Sequence, residues 1–288
     1  MNSTRGIEGI SWRRAPLLLS DLIAPNGEYT WNPLYDALSG DLPIVLRISC
    51  NNPSRRVSFH GQWTPQVGIP APMSHLLRPY KDDGFGMCLE LDYDDPLFKL
   101  VANNFISELG TRYDGHENLM AVEIGMFGQY GEWTTWRAGK SLRYGKKTQR
   151  EIISAFNFWF KKTHVLGRWV EAPARDQTCV SVGWEFMSGG KPMGIHIDDL
   201  MGPFDMDAYN AMKRLGLLDA TKKTLFGGEV LPDLQKACLN ERFDELREKI
   251  KIYNIGYLYW GYKPNNDQEA KRLRDLDELL KTGTEYGS

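Results

Sequence analysis

The chain has 288 residues, 42% of them hydrophobic and 25% charged, with a formal net charge of −2. That length suits one α/β barrel or two smaller domains, and the composition is that of a folded globular protein rather than a disordered one. Near-neutral charge without a run of Lys or Arg argues against nucleic acid as a partner, and no apolar run reaches the roughly 18–20 residues that cross a bilayer.

In chain order, "GISWRR" (9–14) reads as an early strand. The following "RRAPLLLSDLIAP" sets three leucines after basic residues, but Ser20 and Asp21 interrupt them and no small-residue cleavage site follows. A signal peptide is not expected there, so the chain as written is expected to be cytoplasmic, or secreted if a signal peptide has been removed. "PIVLRISC" (43–50) is strand-length and rich in β-branched residues, and "GMCLELDY" (86–93) suits a short extended segment. Residues 94–115 predict a helix: Asp95 precedes Pro96, Leu97, Leu100, Val101, Phe105 and Leu109 fall at helical spacing, and Gly110 supplies a stop.

"NLMAVEIGMFG" (118–128) then reads as a buried strand running into a loop, and 147–162 as a helix with Ile152, Phe156, Trp159 and Phe160 on one face. Strands are expected at 164–170, 193–199 and 223–230, and a last one within 251–262 with a short approach before it. A helix over 267–281 closes the chain. Strands alternating with helices, with few hairpin signals, imply a parallel sheet built from βαβ units. Seven or so strands without a low-complexity linker favour a single (β/α)8 TIM barrel over residues 1–288, irregular at its N-terminal strand. A doubly wound open sheet is the alternative.

Cys50, Cys88, Cys179 and Cys238 lie far apart and form no C-x-x-C, which fits scattered buried thiols in a reducing compartment. Nine Trp and thirteen Tyr are more informative, because Trp63, Trp133, Trp136, Trp184 and Trp260 stand beside polar residues and glycines at the ends of apolar runs. Aromatic faces there suit the C–H faces of sugar rings, although packing in the core is the commoner use of such side chains.

The glycines of "VEIGMFGQYGEW" fall at 125, 128 and 131, a G-x-x-G-x-x-G spacing. Neither the dinucleotide fingerprint nor the P-loop has that spacing, and no helical pattern opens at Gly131 to offer an anion site. What remains is a strand end opened by glycine around the carboxylate of Glu132. In a barrel, such C-terminal strand ends carry the active site. Glu123, inside the strand, is expected to point into the barrel and to need a structural partner. "LFGGEV" puts Glu229 in a similar setting, on about the seventh strand if "NLMAVEIG" is the fourth. Two carboxyls facing across a barrel mouth are what glycoside hydrolysis requires. A solvated turn is the plain alternative for Glu229. "GIHIDDLMG" adds His196, Asp198 and Asp199, better suited to binding substrate hydroxyls than to a metal, since no second His and no H-E-x-x-H pattern accompanies them. A Ser-His-Asp hydrolase lacks its G-x-S-x-G.

The stretch "LDYDDPLFKLVANNFISELGTRYDGHENLMAVEIGMFGQYGEW" resembles bacterial (β/α)8 barrels related to the family 42 glycoside hydrolases, with their D-P-x-F helix, LG-x-RYDG and V-x-IG-x-x-G-x-x-GEW. "SWRRAPLLLSDLIAPNGEYTWNPLYDAL" is similar to their entry segment, and "GIHIDDLMG" and "GGEV" follow in similar order, so the resemblance spans roughly 9–262. The strand–loop–Glu pattern is also similar to that of family 14 amylases. The resemblance implies Glu132 as general acid, Glu229 as nucleophile or base, and sugar-binding positions at Arg14, Arg47, Asp198 and Asp199. Ala24 departs from it, standing where relatives carry a Glu before Pro.

The combined expectation is a glycosidase acting on an oligo- or polysaccharide. Glu132 is the acid, with a carboxyl pushed up by surrounding Phe127, Tyr130 and Trp133, and Glu229 stays ionised in a more polar setting. Trp63, Trp133, Trp136 and Trp260 are expected to line sugar subsites, with His60, Gln62 and His196 bonding hydroxyls. No metal, cofactor, nucleic acid or membrane is called for. The rivals are a non-catalytic carbohydrate-binding barrel and a metal-dependent hydrolase centred on His196, Asp198 and Asp199.

Overall fold

The computed structural model describes residues 12–59, 62–82, 86–133, 146–168, 193–202, 210, 213 and 224–284. The main sheet opens with β1 (Arg13–Leu18) and, after the helices α1 (Leu19–Leu22) and α2 (Asn32–Leu38), β2 (Ile44–Ser49). Two antiparallel hairpins follow outside that sheet: β3 (Asn51–Phe59) with β4 (Gln62–Val67), and β5 (Leu77–Asp82) with β6 (Gly86–Leu91). The sequence reading did not foresee these hairpins, although Asp83-Gly84 stands between β5 and β6, and the segment at 86–93 is largely one arm of the second. The chain continues through α3 (Pro96–Tyr113), β7 (Leu119–Glu123), α4 (Lys146–Trp159), β8 (His164–Arg168), β9 (Gly194–Leu200) and β10 (Phe226–Val230). It ends with α5 (Pro232–Cys238), α6 (Phe243–Tyr253), β11 (Tyr257–Tyr259) and α7 (Asp267–Thr284).

Among the described residues seven strands form one sheet in the order β1-β2-β7-β8-β9-β10-β11, every neighbouring pair parallel. In a flat sheet with strands about 4.8 Å apart, the first and seventh would lie roughly 29 Å from each other. Instead the rings of Trp12, just before β1, and Tyr257, on β11, meet edge to face with centroids 5.3 Å apart. The sheet therefore curls on itself as an α/β barrel of the (β/α)8 type, and an open doubly wound sheet is excluded.

The interior is filled by alternate residues, as the period of two requires. Trp12, Val45, Ala121, Leu166, Leu225 and Tyr257 form an apolar cluster separate from the larger core that lies between sheet and helices. Further toward the C-terminal strand ends, on the same faces, stand Arg14, Arg47, Glu123, Arg168, Glu229 and Tyr259. Apolar floor and charged mouth thus come from the same strands.

Two local expectations need correction. α3 starts as read, with Asp95 accepting from the backbone N–H of Leu97 at 2.8 Å, but it runs through Gly110 to Tyr113. Gly110 serves packing: a Cβ there would lie 2.6 Å from Cβ of Trp159 and 2.9 Å from its carbonyl oxygen, on α4. Of the run 251–262 expected to carry the last strand, 251–253 close α6, whose face of Phe243, Leu246, Ile250 and Tyr253 is buried, and the strand is Tyr257–Tyr259. Cys50 and Cys238 are buried free thiols, while the side chain of Cys88 and all of Cys179 lie outside the described residues.

Candidate active site at the barrel mouth

Glu123 ends the third strand of the barrel and is fully buried. A carboxylate there requires partners, because an unpaired buried charge is costly. Arg47 on β2 supplies a two-pronged pair, Nε to Oε2 at 2.7 Å and Nη2 to Oε1 at 2.5 Å. Arg168 on β8 donates Nη1 to Oε1 at 2.8 Å. Burial raises the Glu123 carboxyl and Arg47 opposes the rise, and with two guanidiniums bonded to it we treat the group as ionised.

Glu132 and Glu229 join the same cluster from opposite sides. Oε1 of Glu132 lies 3.8 Å from Nη1 of Arg47 and 3.8 Å from Nη2 of Arg168. Arg14 on β1 sits 3.2 Å from Oε2 of Glu229 and 4.0 Å from Oε2 of Glu123, with its guanidinium over the ring of Tyr259. Among the described strands the two carboxyls occur on or after the third and sixth, β7 and β10. Their offset of three strands is as expected.

The Gly-rich loop folds back to present Glu132. Gly131 has φ +74, and a Cβ there would lie 2.2 Å from the carbonyl oxygen of Gly125, so only glycine fits. Trp133 then anchors the turn: its backbone N–H donates to Phe127 O at 2.9 Å and its indole N–H to Ile124 O at 2.6 Å. Tyr130 and Trp133 hold left-handed backbone, φ 55 and 58, which L-residues adopt only under constraint.

Several expected roles change. Trp133 is 4% exposed, packed on Phe127 in the core, so it plugs the loop rather than lining a subsite. Trp260 is also core, at a cavity lined by Trp12, Leu258, Leu273 and Leu276 under α7. His196 is 1% exposed and lies beneath the mouth, Nε2 3.4 Å from Nη2 of Arg47 and Nδ1 2.8 Å from the Tyr257 hydroxyl. Burial and Arg47 hold it well below the usual range, hence neutral. Since Arg47 can only donate, Nε2 is the acceptor and Nδ1 carries the proton. Arg47, 4% exposed, braces carboxylates instead of reaching for a sugar.

The setting of Glu229 is less polar than expected: burial, with Glu123 adding and Arg47 opposing, pushes its carboxyl up to about 7, while Arg14 stands by it. Phe127 and Trp133 turn into the core, and the described charged groups beside Glu132 include the guanidiniums of Arg47 and Arg168. Ala24 lies in a turn beyond α1, its N–H donating to Glu28 O at 2.8 Å. Gln62 and Trp63 lie on β4, paired with Phe59 and Ser58; their side chains, those of Asp198 and Asp199 on β9, and all of His60, Trp136 and Trp184 lie outside the described residues. Among the described residues no cluster of three His, Cys, Asp or Glu is arranged to hold a metal, and no helix is long and apolar enough to cross a membrane.

Sequence reading missed Arg168, Tyr257 and Tyr259. The signal was the inward alternation Leu166/Arg168 and Tyr257/Tyr259, readable only once strand phase is known.

No family model and no curated protein matches the chain. Among solved structures it is similar to the xylanase XynB from Paenibacillus barcinonensis complexed with a conduramine derivative (TM-score 0.47, 11% identity, covering 88% of this chain and 84% of that one). It is similar also to a psychrophilic glycoside hydrolase family 10 endo-beta-1,4-xylanase (0.47, 12%, 90% and 88%). A third likeness is to an alpha-amylase from Geobacillus thermoleovorans complexed with acarbose (0.40, 14%, 88% and 60%). The barrel itself rests on the strand order and closure described above.

Proposed function

We propose that the barrel mouth is the active site of a glycoside hydrolase in which Glu132 and Glu229 act as a pair on a carbohydrate substrate. The observation that supports it is their convergence on one arginine cluster, Glu132 through Arg47 and Arg168, Glu229 through Arg14. Cleavage needs one carboxyl to give a proton to the leaving oxygen and another to attack the anomeric carbon or activate water.

The surroundings favour a reversal of the roles read from sequence. Glu229, raised to about 7, is equipped to hold and give a proton near neutrality. Glu132, facing two guanidiniums, is equipped to act as the carboxylate. Arg47 and Arg168, braced on Glu123, hold Glu132, and Arg14 holds Glu229.

The test is leaving-group dependence. With Glu229→Ala, aryl glycosides of strongly acidic phenols should be cleaved within about tenfold of the parent rate, while oligosaccharides lose roughly 10²–10⁴-fold. Glu132→Ala should abolish both. The opposite pattern would return the acid role to Glu132, and a parent protein that binds glycans but cleaves none would be a non-catalytic barrel.

A further inference from the structure

Outside the barrel, Glu90 on β6 is 1% exposed. Its Oε1 accepts from the Tyr93 hydroxyl and from the Leu91 backbone N–H at 3.2 Å, whereas its Oε2 has no donor. Asn51, at the start of β3 and 2% exposed, is its side-chain neighbour. Nδ2 of Asn51 donates to Leu89 O at 3.2 Å, and its Oδ1 also has no donor. Oε2 is thus a buried carboxyl oxygen without a donor, and a proton on the carboxyl removes the charge that such burial penalises.

The same carboxyl reaches the site loop. Tyr93 gives its hydroxyl proton to Glu90 and accepts the backbone N–H of Gly128 at 2.9 Å. Its ring packs on Phe127, with centroids 5.2 Å apart. Gly128 begins the turn that ends at Glu132.

We infer that Glu90 is kept as a buried neutral acid and, through Tyr93 and Gly128, is a positioning residue for the loop that carries Glu132. Its bearing on catalysis rests on the glycoside hydrolase reading; its hold on the loop does not. Burial raises the carboxyl from 4.5 to about 7 against the opposing hydrogen bonds of Tyr93, Leu91 and Asn51. The titratable neighbours among the described residues are Tyr93 and, at the end of β2, Cys50, whose thiol is itself raised by burial and by Glu90 and so stays neutral. No described cation or second carboxylate bears on Glu90.

The sign follows from linkage. A carboxyl raised in the closed loop contributes fully below about 4.5, and that contribution is lost as pH rises to about 7 and is constant above. Hydrogen exchange of the peptide spanning 124–133 in the full chain, normalised to the same peptide free in solution, reads this directly. We expect the opening constant to rise up to about tenfold per pH unit between about 5 and 7, then level. Glu90→Gln, whose amide does not titrate and can accept from Tyr93, should flatten the curve. Tyr93→Phe, which keeps the ring, should raise exchange of this peptide at every pH. A flat parent curve, the same rise in Glu90→Gln, or no effect of Tyr93→Phe would each overturn the inference. Because exchange needs no substrate, its failure is distinct from failure of the glycosidase reading, which shows only in cleavage.

Discussion

Glu229 and Glu132 share one cluster of arginines yet differ in exposure and neighbours, and the difference makes a pH prediction. If Glu229 gives the proton, kcat/KM falls as pH rises past about 7. Arg14, 3.2 Å away, favours the ionised form, so Arg14→Gln should move that alkaline limb up by about one pH unit. A pH profile with an unmoved limb would contradict the assignment. Arg168→Met leaves fully buried Glu123 with one partner fewer, and breaking such a pair costs about 3–5 kcal/mol in urea unfolding, part of it recovered by adding Glu123→Gln. The carboxylates were legible in sequence because glycines and strand ends mark them. Arg168 was not, because "HVLGRWV" reads as a plain buried strand until its phase is fixed. Trp133 and Trp260 were misread for a related reason: a tryptophan beside glycine does not reveal which way it faces.

At the scale of elements, α3 and α4 meet where Gly110 touches Trp159. Helix propensity alone would make Gly110→Ala stabilising by about 1 kcal/mol. The added Cβ would meet Trp159 Cβ at 2.6 Å and a backbone carbonyl at 2.9 Å, neither of which can swing away. Overpacking costs about 1–3 kcal/mol, so we expect net destabilisation in denaturant titration, and a gain would show that the helices can part. Sequence spacing gave the helices within a few residues, since their apolar faces are periodic. It did not reveal the β3–β4 and β5–β6 hairpins, although Asp83-Gly84 between the latter two strands is a hairpin-turn dipeptide, nor that β2 would pair directly with β7.

For the whole molecule, the barrel is closed between first and last described strands by side chains, Trp12 on Tyr257 and Arg14 over Tyr259. That closure turns six separated strands into one mouth, where Arg14 reaches Glu229 across what would be roughly 24 Å of flat sheet. The most direct measurement is hydrolysis of a panel of oligosaccharides and polysaccharides by the parent protein, Glu132→Gln and Glu229→Gln, with folding checked by circular dichroism. We expect the parent to cleave at least one member and each variant to lose about 10³-fold or more in kcat while still binding it. Cleavage retained in both folded variants, or no cleavage by a parent that binds, would contradict a catalytic pair at this mouth.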